Sequence, residues 1–110
     1  MPDFKIKEGD DEPAMEVTLT DEAGAFDLSA LTNPTVTAVV GRFTTPPIVN
    51  KEINITDAAN GVVELVWADG ETDSRGTYSA EFVVEHDDGT RTFPNDGYVS
   101  VQIVREVKDT

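Results

Sequence analysis

His86 is the sole histidine of this 110-residue chain, and it stands beside Asp87 and Asp88. A nucleophilic triad needs a serine and a carboxylate converging on such an imidazole, and no serine here lies in a glycine-flanked elbow. With one histidine and no cysteine, a zinc site has too few nitrogen and sulfur ligands to draw on. Asp69-Gly70-Glu71-Thr72-Asp73 opens like a calcium loop. An EF-hand would need a bidentate glutamate at the twelfth position, and that position is Ala80. A looser carboxylate site joined by Asp87 or Asp96 stays open, beside the plainer reading of a polar turn in which Asp73 supports its neighbours. Adjacent carboxylates are so common in this chain that their proximity says nothing about acid–base catalysis. No catalytic residue, metal ligand or cofactor is expected, and the chain reads as a non-enzyme.

Composition narrows the partners. Twenty-two acidic against eight basic residues give a net charge of -14. Such a field repels nucleic acid, which proteins hold chiefly through Lys and Arg on phosphates, and it repels the anionic face of a membrane. It suits docking on a basic protein surface, although a solvated acidic face is the simpler reading. No apolar run approaches the ~20 residues of a membrane-spanning helix. The N-terminal Met1-Pro2-Asp3-Phe4-Lys5 lacks the apolar core of a signal peptide, and Met1 reads as a genuine start. No cysteine means no disulfide framework, which leaves the redox compartment open.

The elements that would carry any site are strands. A chain of this length forms one domain over residues 1–110 and hides roughly two-thirds of its unfolded surface without staples. Phe4-Lys5-Ile6-Lys7 alternates apolar with basic, as in a first strand at an edge, where lysines guard against stray pairing. Met15, Val17 and Leu19 share one face of a strand over 14–20, and Asp21-Glu22-Ala23-Gly24 makes a turn. Phe26 to Leu31 returns apolar side chains to the interior. Strands are expected over 35–42 with Val36, Ala38 and Val40 inward, 48–56 with Ile53 and Ile55 inward, and 62–68 with Val63, Leu65 and Trp67 inward. Between the last two, Asp57 to Gly61 suits a tight connection with one helical turn and a positive φ at Gly61 or Asn60. The closing strand runs over 98–107 with Val99, Val101 and Ile103 inward.

The strongest pattern is Asp73-Ser74-Arg75-Gly76-Thr77-Tyr78 opening a strand on which Tyr78, Ala80, Phe82 and Val84 share a face. Asp73, Gly76 and Tyr78 read as a tyrosine corner, with the phenol reaching a backbone group in the 70–75 loop. Asp88-Gly89 then turns a hairpin into Thr90-Arg91-Thr92-Phe93, which Pro94 stops. Short strands separated by turns every 8–12 residues give the expected class: all-β, an immunoglobulin-like antiparallel β-sandwich of seven or eight strands. Phe43, Pro46, Pro47, Phe93 and Tyr98 lie near loops, and exposed together they would make a docking patch. Phe93 and Tyr98 also suit ordinary packing at the sandwich edge.

On these residues the chain resembles the immunoglobulin-like N-terminal domain of the tailed-bacteriophage baseplate upper protein family. The matching pieces are Phe4 to Asp10, Asp27 to Ala30, Ala59 to Val63, Asp73 to Phe82 and Asp88 to Tyr98, in the family order. The resemblance implies a non-catalytic module on the tail or baseplate exterior, whose partners are other virion proteins and whose location is the virion. Attachment through the first strand, Phe4, Lys5, Ile6 and Lys7, and through loops is expected. Family members continue into a stalk and a receptor-binding region, whereas this sequence stops at Thr110, which brings forward a capsid-surface decoration protein as the alternative. A calcium-dependent carbohydrate-binding module using Trp67 and the acidic loops is a further one.

Overall fold

Alternation of period two becomes strands because successive side chains leave a strand on opposite faces, so one apolar set can be buried while its neighbours stay wet. The computed structural model describes residues 3–43, 45–94 and 97–105. Ten strands occur among them: β1 Phe4–Lys7, β2 Met15–Thr18, β3 Thr20–Asp21, β4 Gly24–Ala25, β5 Thr35–Gly41, β6 Val49–Asp57, β7 Val62–Leu65, β8 Gly76–His86, β9 Gly89–Phe93 and β10 Val99–Val104. The pairing order is β1-β10-β8-β5-β6-β7-β2, with β9 also on β8 and β3-β4 as a separate small hairpin. This is the expected all-β, mostly antiparallel β-sandwich, eight strands in the main pairing path and its branch. One pair departs from antiparallel order: β1 lies parallel to β10, at the open edge where lysines were expected.

Strand β6 joins the two layers. Its first half pairs with β5 from Val49 to Ile53, and its second half pairs with β7 after a register shift between Ile55 and Asp57. Such an irregularity bends a strand, so one nine-residue element serves both sheets. Against the β1-β10-β8-β5 layer stand β7 and β2. The inner set of β5 and β8, Val36, Ala38, Val40, Ala80, Phe82 and Val84, is buried and meets Met15, Val63, Leu65 and Trp67 from the other side in one core. Burying two apolar faces against each other is what offsets the entropy of ordering them.

Several boundaries move. The strand expected to reach Ala68 ends at Leu65, because the 66–71 segment is held by other bonds. Lys51 Nζ donates to the Val66 carbonyl at 2.9 Å and pairs with Glu71 at 2.9 Å, while Glu71 Oε1 also accepts from the Ala68 amide at 2.7 Å. The expected turn at 21–24 is the tip of the β3-β4 hairpin. The helical turn after Asp57 is a 3-10 turn, Ala58–Asn60, closed by Gly61 at φ 70. A second 3-10 turn, Leu28–Ala30, is capped by the Asp27 carboxylate and buries Leu28. The closing strand spans Val99–Val104; the expected continuation over 106–107 lies outside the described residues, as do Asn95 and Asp96 of the turn after Pro94.

Candidate functional site

Strand β8 carries two partners along one edge. Phe82 faces Phe93 of β9 and Ala80 faces Val99 of β10, so the partner strand changes opposite Glu81. Tyr98 stands just before Val99, at the start of the second partner. Phe43 stands on the loop leaving β5, where Pro46 and Pro47 cannot donate to a ladder. The two rings meet edge to face, 5.1 Å between centroids at 69°, although Phe43 is 78 % and Tyr98 48 % exposed. Beneath them Val39, Gly41, Pro47, Ser79 and Glu81 line a hollow of about 150 Å³. Pro46 and Pro47 are exposed.

The structure therefore brings three of the expected docking residues to one place, Phe43, Pro47 and Tyr98. Two others require correction. Ile6 and Phe93 are core residues, 2 % and 1 % exposed. Ile6 points inward from β1, where it is paired with Ile103. Phe93 packs its ring 4.9 Å from Phe26 under the Arg91 guanidinium. Neither side chain can reach a partner. Phe4 is half-buried, stacked on Trp67 at 6.0 Å, while Lys5 and Lys7 are exposed on the edge strand.

The corner at Tyr78 has its expected bond: the phenol donates to the Ser74 carbonyl at 2.7 Å. Asp73 takes a different place from the one its position in the motif indicates. Its side chain makes no hydrogen bond among the described residues, and its backbone amide reaches Gly70 O at 3.3 Å. Gly76 matters for a reason the sequence does not display. At φ 149 it passes directly beneath Arg42, where an added Cβ would strike the guanidinium. Arg42 lies 4.6 Å from the centre of the Tyr78 ring and donates to the Arg75 carbonyl at 3.3 Å. Val39 and Glu81 escaped the sequence reading of this site, since only the strand register brings them to one hollow; Arg42 precedes Phe43 in the chain and carried no signal of its own.

The residues first weighed for chemistry do not converge. Asp87 gives its carboxylate to the Asn33 amide at 3.3 and 3.4 Å, at the far end of β8 from the ring pair. Glu71 is taken by Lys51, and Asp96 lies outside the described residues. Among the described residues no three His, Asp or Glu side chains gather as a metal site. Trp67 is 2 % exposed, so its ring offers no platform for a sugar. A recess of about 490 Å³ lies between Thr20–Ala23 and Arg91. Two of its three charged groups, Arg91 and Asp21, are paired at 3.8 Å, leaving Glu22. In comparison with known proteins, the chain matches no family model and no curated sequence.

Proposed function

We propose that this chain is a non-enzymatic structural module of a bacteriophage virion, attached to the exterior of the tail or baseplate. One observation carries the reading. The segments resembling the baseplate upper protein domain fall, in order, on the edge strand, the buried Leu28 turn, the Gly61 reversal, the tyrosine corner and the β8-β9 hairpin. The resemblance thus runs through the pieces that close the fold. Further support is the pair of exposed aromatic rings meeting from two loops beside the sheet, the kind of surface that serves docking. The partners are other virion proteins, not nucleic acid or membrane, in keeping with the charge of -14.

Particles made from the genome that encodes this chain test the reading. Mass spectrometry should find it in purified particles, and reconstruction should fit the sandwich to density at the tail or baseplate surface. Density on the head would move the module to the capsid-decoration alternative. Absence from particles, or turnover of a substrate by the purified chain, would remove the structural role.

A further inference from the structure

Strand register lays out the outer face of the β6-β5-β8 sheet in rows. Asn50, Val39 and Glu81 lie side by side, and Glu52, Thr37 and Val83 form the next row. Glu85 stands beyond them, beside Thr35. Val39 and Val83 are half-buried, so a short apolar stripe runs out from the hollow beneath Phe43 and Tyr98, with glutamates on either side. Single exposed apolar residues are ordinary on protein surfaces; two rings meeting edge to face from loops far apart in the chain, above an open hollow, are not.

We propose that this face docks a basic protein segment bearing one bulky apolar side chain. The apolar group enters the hollow between Phe43, Tyr98 and Pro47, and the cationic groups meet Glu81, Glu52 and Glu85. The proposal deepens the docking-module reading and rests on it, by naming the surface and the chemistry of the partner. Charge selects the occupant. Arg42, the cation bordering the hollow, is committed to the Tyr78 ring and the Arg75 carbonyl. Lys51, Arg75 and Arg91 are paired with Glu71, Glu8 and Asp21. Lys5 and Lys7 lie on β1, separated from β8 by β10. Arg42 keeps its positive charge between its two neutral partners, but Glu81, Glu52 and Glu85 outnumber it on this face, and a second copy carrying the same charge of -14 would bring glutamates to glutamates. The polar Glu81 and Ser79 at the floor favour an amphipathic segment over a purely apolar one.

The probe is a short peptide alternating lysine and serine around one central leucine, titrated into the full chain and followed by backbone amide shifts. Shifts should cluster at Val39–Phe43, Ser79–Glu81 and Val99. Phe43→Ala and Tyr98→Ala should each weaken binding about tenfold with melting unchanged, since both rings are exposed. Glu81→Lys should weaken binding and flatten its salt dependence. Equal binding by the leucine-to-alanine peptide overturns the proposal, as do shifts confined to the Asp10–Glu12 turn or binding weaker than about 1 mM. Dimerisation of the chain that Phe43→Ala abolishes, or an oligosaccharide shifting the same amides, would give the face to another occupant and equally sink it. Finding the chain in particles does not depend on these titrations, so the docking face and the virion role fail separately.

Discussion

A single phenol ties the loop before β8 to the strand it opens. The Tyr78 ring is buried and its hydroxyl bonds to Ser74 O, so Tyr78→Phe keeps the packing and loses one neutral hydrogen bond. Unfolding in urea should show a loss of about 1 kcal/mol. Two phenylalanines of similar appearance in the sequence should behave oppositely. Phe93→Ala opens a cavity in a closed part of the core and should cost ~3–5 kcal/mol. Phe43→Ala removes a ring that is 78 % exposed and should stay within about 0.5 kcal/mol of the parent. Equal losses in the two variants would contradict the burial described for them.

Elements meet where glycine is required. Gly61 ends the 3-10 turn in the left-handed region, and an added Cβ would lie 2.5 Å from Phe26 O and 2.9 Å from Leu19 O. Those are backbone atoms at the base of the β3-β4 hairpin, tied by Leu19 N to Gly61 O and Phe26 N to Leu19 O, both 2.8 Å. Neither can swing aside like a side-chain tip. Gly61→Ala should therefore cost at least about 2 kcal/mol, from the left-handed conformation and the clash together. Gly76 differs, because the group in its way is the end of a flexible arginine. The 66–75 loop is held by the Lys51–Glu71 and Arg75–Glu8 pairs. A chelator should leave the melting temperature unchanged, and added calcium should not raise it; a chelator-dependent fall in Tm would restore the carboxylate-site reading.

Charge acts on the molecule as a whole. At -14, the folded chain holds its carboxylates closer together than the unfolded chain does, and their mutual repulsion opposes folding. Salt screens repulsion between exposed charges within a Debye length of about 8 Å at physiological ionic strength. Raising sodium chloride from low to physiological levels and beyond should thus stabilise the fold, by on the order of 1 kcal/mol. Thermal melts across a salt series check this, and a Tm that falls with salt would mean the few ion pairs outweigh the repulsion. The same screening should weaken the basic peptide on the Phe43–Tyr98 face, so stability and binding move in opposite directions with salt.

Alternation alone was enough to determine the all-β class and the inward sets of β5 and β8, because side-chain direction in a strand is a local property of period two; the corner bond of Tyr78 was legible from the spacing of Gly76 and Tyr78. The Asp88-Gly89 hairpin and the positive φ at Gly61 were legible for the same local reason, since each turn demands particular backbone angles. Burial near loops was not. Phe93 and Tyr98 lie close together in sequence and look alike, yet one is core and the other exposed, because β8 changes partner from β9 to β10 between them. The end of β7 at Leu65 and the meeting of Phe43 with Tyr98 were likewise decided by partners distant in the chain. Contacts of that kind depend on which strands become neighbours, and only the closing of two sheets on one core settles it.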